Sequence, residues 1–224
     1  MIPLEEIERA QIPGQESDIV LLRRGAEYSI RTAGKELMNS RLHASEDLLA
    51  KLACSRLARK SGRRILVGGL GMGYTLAAAL KESEPDTQII VAELIPAVVE
   101  WNRRYLGHLA GTPLDDPRVS IAEEDVAETI GRNPCAWDAI LLDVDNGPNG
   151  LTRNTNDRLY TLSGLKSALS ALRPGGILAV WSSGADASFT RRLKQCGFRT
   201  QTVTARSHKP AKGARHTIWL AAKP

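Results

Sequence analysis

The 224-residue chain is 42% hydrophobic with a formal net charge of +5, enough apolar content to bury one substantial core plus a small appendage. No run of about 18 apolar residues exists, which excludes a membrane-spanning helix, and Met1 to Gln15 lack the apolar stretch of a secretory signal. Cys54, Cys135 and Cys196 have neither CxxC spacing nor histidines placed to complete a zinc site, so they read as small buried hydrophobes of a reduced, cytoplasmic protein without a metal centre.

In chain order, residues 1–43 hold short alternating stretches at 19–23, 27–32 and 35–38. Arg24-Gly25 and Ala33-Gly34 punctuate them as turns, which predicts a small β-meander. A connecting helix is predicted over 44–62, from about Ala44 to Lys60, with Ser45 as its N-cap and Leu48, Leu49, Leu52 and Ala53 on one face. Residues 63–224 alternate strands and helices. Strands are predicted at 64–69, 88–93, 118–122, 137–143, 176–182, 199–204 and 215–222, with a helix after each of the first five. That rhythm predicts an α/β fold with a seven-stranded, mostly parallel sheet of the Rossmann kind. The last two strands lack a helix between them and should form an antiparallel hairpin, with 205–214 as its loop.

The most informative segment is Ile65-Leu66-Val67-Gly68-Gly69-Leu70-Gly71-Met72-Gly73-Tyr74, which runs into Thr75-Leu76-Ala77-Ala78-Ala79-Leu80-Lys81. An apolar strand breaks into a glycine turn and a helix follows at once. Gly69, Gly71 and Gly73 allow a sharp bend and close approach to a ligand. Twenty residues beyond Gly73 a second strand ends on Glu93, where a carboxylate can accept hydrogen bonds from the two ribose hydroxyls of a nucleoside. The dinucleotide pattern G-x-G-x-x-G fails, because its third glycine would fall on Tyr74 or Leu76. G-x-G-x-G stands instead, as in proteins that bind S-adenosylmethionine or its decarboxylated form.

Ligands of such sheets lie at the carboxyl ends of the strands. The third strand of the parallel sheet ends in Glu123-Glu124-Asp125. Asp125 is placed to accept from an adenine amino group, to cap the following helix, or to do both. The fourth, Ala139 to Leu142, delivers Asp143-Val144-Asp145-Asn146-Gly147-Pro148. Asp143 reads as the catalytic candidate, a carboxylate beside the cofactor's sulfonium that orients an amine or takes its proton. Asp145 is its neighbour in that role, and a turn-capping role is the alternative for both. His43 and His108 read as structural, whereas His208 and His216 lie in or beside a basic loop.

Charge is unevenly spread. No Asp or Glu follows Asp186, while nine Lys or Arg do, so residues 1–186 hold 21 basic against 25 acidic groups, a net of −4. The basic C-terminal segment, with Arg206, His208, Lys209, Lys212 and Arg215, is compatible with an anionic substrate or nucleic acid, or with a solvated surface.

From Arg63 to Ala179 these motifs resemble the spermidine synthase family, the polyamine aminopropyltransferases, relatives of class I S-adenosylmethionine-dependent methyltransferases. Arg63 to Val67 with the glycines is similar to the family's first motif, and Ala92-Glu93-Leu94 to its ribose-binding segment. Glu124-Asp125-Val126 is similar to its adenine-side G-D-G or G-D-A. Trp137 to Asp143 resembles its FDVIITD strand, Leu159-Tyr160-Thr161 its LFT segment and Leu172 to Gly176 its LNPGG turn. Residues 18–50 resemble a shortened form of its N-terminal β-domain and following helix, which also implies a homodimer.

The resemblance implies a transferase of the class I fold. It would bind S-adenosylmethionine or decarboxylated S-adenosylmethionine through Gly69, Gly71, Gly73, Glu93 and Asp125, with Asp143 catalytic and a small-molecule acceptor. Departures fall in the acceptor half. Met72 stands where the family has the aspartate of G-G-G-D-G-G, Asn146 where it has a second aspartate, Ala44-Ser45 where it has Tyr-Gln, and Leu165 where it has a tyrosine. Methyl transfer to a small molecule or nucleic acid, and non-catalytic nucleoside binding, are the alternative readings.

Overall fold

The computed structural model describes residues 2–58, 60–144, 147–148, 157–208 and 212–224. Two sheets organise the chain. The first is a four-stranded antiparallel meander of β1 (Glu5–Gln11), β2 (Asp18–Arg24), β3 (Glu27–Thr32) and β4 (Lys35–Asn39), paired in sequence order. The second holds seven strands: β5 (Arg64–Gly68), β6 (Gln88–Ala92), β7 (Val119–Ala122), β8 (Trp137–Leu142), β9 (Leu172–Ser182), β10 (Arg199–His208) and β11 (Lys212–Ala222). Their order across the sheet is β10-β11-β9-β8-β5-β6-β7. Strands β7, β6, β5, β8 and β9 are parallel, and β11 is antiparallel to both β9 and β10, so the predicted C-terminal hairpin closes one edge.

Helices α1 (Ala44–Cys54), α2 (Tyr74–Lys81), α3 (Pro96–Trp101), α4 (Val126–Arg132), α5 (Asp157–Tyr160), α6 (Leu162–Ala171) and α7 (Ala187–Gln195) pack around the seven-stranded sheet. Every residue of β8 is buried, as expected of a central parallel strand covered on both faces. Among the described residues no helix is long and apolar enough to cross a membrane.

The structure departs from the sequence expectations in several places, among them β9, which begins at Leu172 rather than at 176. β1 was not anticipated, because Glu5-Glu6-Ile7-Glu8-Arg9-Ala10-Gln11 is mostly polar and exposed. It is an edge strand aligned by cross-strand ion pairs, Arg23–Glu5 at 2.8 Å and Arg9–Asp18 at 3.2 Å. Helix α1 stops at Cys54 rather than near Lys60, and its N-cap is His43 with no side-chain bond. Ser45 is fully buried, and its hydroxyl meets the neighbouring Glu46 and the distant His216 instead. Cys54 and Cys196 are buried free thiols, but Cys135 is exposed in the turn before β8 at φ 51°. The hairpin strands run into the loop expected at 205–214, reaching His208 and restarting at Lys212.

The meander is latched to the main sheet's flank. After α3 the helix widens into a π-turn at Asn102–Leu106. There Trp101 Nε1 donates to Glu8 Oε2 at 2.8 Å, while Arg104 and the Tyr105 hydroxyl donate to Oε1 at 2.7 and 2.9 Å. Glu8→Ala leaves the indole N–H of the fully buried Trp101 without its partner. We expect a loss of about 1–3 kcal/mol, read as a melting temperature lowered by roughly 2–10 °C in thermal denaturation.

Candidate active site

The site is assembled at the carboxyl ends of β5, β6, β7 and β8, beneath the meander. Gly69, Gly71 and Gly73 adopt φ of +86°, +53° and +84°, the left-handed region that disfavours side chains. Gly69 N–H donates to the Ala92 carbonyl at 2.9 Å, tying the turn to the end of β6. A Cβ on Gly69 would lie 2.6 Å from the Asp143 carbonyl oxygen, so this glycine is demanded twice over. Asn102, from the π-turn, donates to the Gly71 carbonyl at 2.7 Å and steadies the loop from the far side. π-Turns frequently mark functional sites, and this one carries both the Asn102 support and the Glu8 latch.

A cavity of about 250 Å³ opens between the turn and the meander. Of the residues singled out from sequence, Gly69, Gly71, Glu93, Asp125 and Asp143 lie in its wall. Gly73 does not: it is the left-handed N-cap of α2. Met72 is also absent from the wall, its side chain fully buried in the core. Asp145 and Asn146 lie outside the described residues, as does Lys209, and so do the side chains of His208 and Lys212.

Each carboxylate has a distinct setting. Glu93 is buried, with Oε2 accepting from Leu70 N–H and Oε1 from Ile95 N–H, both at 2.8 Å. These two backbone donors, one on each oxygen, fix the plane of the carboxylate in the cavity wall. Asp125 caps α4 by accepting from Ala127 N–H at 2.8 Å and pairs with Arg158 at 2.9 Å, while still lining the cavity. The capping role is therefore established, and both oxygens are engaged, Oδ1 by Ala127 N–H and Oδ2 by Arg158.

Asp143 and Glu46 form a pair of another kind. Burial pushes Asp143 up to about 6, against a short hydrogen bond from Thr75 Oγ1 at 2.5 Å that favours its ionised form. It lies in the cavity wall. Burial also pushes Glu46 up to about 7, and the negative charge of Asp143 raises it further. Two carboxylates that disfavour each other's ionisation tend to share protons near neutrality.

The other aspartate of β8 shows the contrast. Burial raises Asp138 too, but Lys60, the Arg64 N–H and Arg173 outweigh it and hold its pKa below the ordinary value. One strand thus carries a neutralised structural acid at its start and a proton-sharing acid at its cavity end. Opposed environments of this sort make Asp143 a candidate functional carboxylate.

Sequence reasoning did not select Glu46, Thr75, Asn102 or Trp181 for the site. Glu46 had a local signal, an acid in the first turn of an amphipathic helix, but nothing local aims it at Asp143 nearly 100 residues later. His43 stacks on Tyr74 at 4.0 Å, His108 lies edge-on to Tyr28 at 6.0 Å, and neither lines the cavity. His216 sits beneath Trp181 at 4.7 Å, beside the cavity. Among the described residues no cluster of three or more His, Cys, Asp or Glu is placed to hold a metal ion.

A parallel sheet whose first turn is glycine-rich, with an acid at the end of the next strand and a cavity over both, defines a class I methyltransferase-like fold. A family model for the spermine/spermidine synthase domain matches residues 43–190, and the chain belongs to that family. It is 33% identical over 128 residues to polyamine aminopropyltransferase 2 of Pseudomonas aeruginosa, covering 55% of this chain and 34% of that protein. It is 31% identical over 172 residues to the polyamine aminopropyltransferase of Corynebacterium efficiens, covering 75% and 31%. The chain therefore spans about a third of the length of these curated relatives. Crystallised spermidine synthase of Thermotoga maritima superposes with a TM-score of 0.77 at 19% identity, over 98% of this chain and 73% of that one. A spermidine synthase bound to the transition-state analogue AdoDATO gives 0.75 at 19% identity, over 98% and 72%. These superpositions establish a shared fold.

Proposed function

We propose that the chain is an aminopropyltransferase that takes decarboxylated S-adenosylmethionine and an amine with a single cationic end in the cavity. The observation that carries this reading is the Glu46–Asp143 pair set beside the glycine turn. Glu93 would receive the ribose hydroxyls, Asp125 the adenine side, and the glycine turn would let the nucleoside pack against backbone. The donor's sulfonium supplies an activated leaving group, so the protein need only hold the amine in line and take its proton. Asp143, with its plane set by Thr75, accepts that proton, and Glu46 shares the charge.

Beyond the pair, Ile12, Ile19, Ile30 and Leu37 line the cavity with the neutral Ser17 and Thr32 and the cationic Lys35. Family relatives are named for polyamines, but that far wall offers a second ammonium group no carboxylate among the described residues. Met72, apolar and buried in the core, removes a further acid at the position where the resembled family has one. Methyl transfer from S-adenosylmethionine is the second reading, favoured by that replacement and by Lys35, which could meet the donor's carboxylate.

Calorimetry with decarboxylated S-adenosylmethionine, S-adenosylmethionine and methylthioadenosine tests both. We expect the decarboxylated donor to bind more tightly than the carboxylated one, and Glu93→Ala to weaken all three by roughly 100-fold, since it removes two ribose acceptors and frees the Leu70 and Ile95 N–H groups. A preference for the carboxylated donor would sink aminopropyl transfer. No binding of any of them would sink the nucleoside site.

A further inference from the structure

The Glu46–Asp143 pair is not isolated. Ser45 Oγ lies 2.6 Å from Glu46 Oε2, and His216 Nδ1 lies 2.8 Å from the same Ser45 Oγ. Ser45 is wholly buried and Glu46 nearly so, whereas the His216 ring is half-buried against Trp181. Among the described residues His216 Nε2 makes no hydrogen bond and is not sealed from solvent. An unbroken row of hydrogen bonds therefore runs from the cavity wall on α1, through one hydroxyl, to an imidazole on β11 with a path to water.

The row has two proton arrangements. With Glu46 ionised, Ser45 donates to the carboxylate and His216 must offer Nδ1–H to the hydroxyl oxygen. With Glu46 protonated, the acid donates to Ser45 and Ser45 donates to Nδ1. One concerted shift interconverts them: the Glu46 O–H and Ser45 O–H bonds break while a new Ser45 O–H and an Nδ1–H form. The imidazolium then releases its Nε2 proton to water, and hydroxyl rotation with tautomer exchange restores the start. Joining a protonated amine to an alkyl group releases one proton per turnover, and a cavity filled by donor and acceptor leaves that proton little water to take it.

We infer that Ser45 and His216 form the proton exit of this site, carrying the proton of the acceptor amine to solvent from Glu46, the member of the acid pair that the hydrogen-bonded row reaches. The inference rests on the transfer reading above. Burial lowers the His216 pKa, so the ring is neutral and able to accept near pH 7. Among the described residues its ring meets Ser45 on α1 and Trp181 on β9, Ala205 lies opposite it on β10, and Glu46 stands one hydrogen bond further, beyond Ser45. Ser45 and His216 are positioning residues, acting through Glu46 rather than on substrate.

The test compares Ser45→Ala, Ser45→Thr, His216→Phe and His216→Gln. Glutamine can keep the hydrogen bond to Ser45 but cannot pass a proton, which separates relay from architecture. Single-turnover transfer from decarboxylated S-adenosylmethionine should slow by about 10–100-fold in Ser45→Ala, His216→Phe and His216→Gln. The loss should shrink as buffer concentration rises. Methylthioadenosine affinity should stay within about twofold in all of them, and Ser45→Thr should recover most of the rate. Wild-type rates in His216→Gln would overturn the relay. A second arm needs no turnover: nitrogen NMR of His216 should show a different titration midpoint in Glu46→Gln than in wild type, and identical titrations would overturn the hydrogen-bonded row. If wild type transfers to no amine, the proposed function falls, and the NMR arm still decides whether the row exists.

Discussion

Asp143→Asn should lower aminopropyl transfer by about 10²–10⁴-fold while methylthioadenosine affinity changes little. Asparagine matches the shape of the carboxylate and can still accept from Thr75 Oγ1, now 2.5 Å from Oδ2. It cannot take a proton, and a positioned base contributes on the order of 10²–10⁴. The same substitution removes the charge that helps raise Glu46. Burial, the larger cause, persists, so Glu46 should titrate below about 7 yet above an ordinary glutamate.

The pH dependence follows with a definite sign. In wild type both acids are raised, to about 6 and about 7, so the ligand-free site holds protons below neutrality. A cationic amine favours the ionised pair and expels those protons, so amine affinity should rise as pH rises through 6–7 and level off above. Because the folded pKa values exceed the unfolded ones, the pair also favours folding at low pH, and that contribution is lost as pH rises through 6–7. Calorimetry of amine binding in buffers of differing ionisation enthalpy reads the proton release directly. Equal proton counts at pH 6 and pH 8.5 would refute the shared-proton pair, and a retained transfer rate in Asp143→Asn would remove it from the chemistry.

Gly69→Ala should destabilise the protein by about 3 kcal/mol or more and abolish nucleoside binding. The position has φ +86°, which costs an alanine roughly 1–2 kcal/mol by itself. Its Cβ would also stand 2.6 Å from the Asp143 carbonyl oxygen, a backbone atom at the end of the central strand that has no rotamer to escape into. Relief requires moving β8 away from β5, where Asp143 N–H donates to the Gly68 carbonyl at 3.0 Å, and that displaces Asp143 from the cavity. For a chain of this length the melting temperature should fall by roughly 6–12 °C. Gly111→Ala is the matched comparison, with φ +77° and open space around the added carbon, so it should show the backbone strain alone. Equal losses in the two variants would mean that the contact with Asp143 is unimportant.

The features legible in the sequence share one property: short range. The glycine turn after an apolar strand, the acid closing the next strand and the five strand–helix repeats each need only a dozen or so neighbouring residues to be recognised. Their signals are the steric freedom of glycine and the burial of both faces of a parallel sheet. The family resemblance was legible for the same reason, since its motifs sit on those strand ends. What failed locally was also physical. Ser45 has the chemistry of an N-cap, yet its hydroxyl is drawn into a buried contact that no neighbour in sequence announces. β1 lacks apolar alternation because a polar edge strand takes its register from ion pairs and from its partner β2.

The sequence by itself determined the class of fold, the glycine turn and the strand-end acids, because backbone conformation and hydrophobic periodicity are local physics. Only the tertiary structure decided which acids act together. Glu46 comes to feel the charge of Asp143 from another element, Ser45 meets His216 from 171 positions away, and Glu8 binds the flank of α3 across 93. It also decided their protonation, because burial and a neighbouring charge, the causes of the raised pair, exist only once the chain has closed around them.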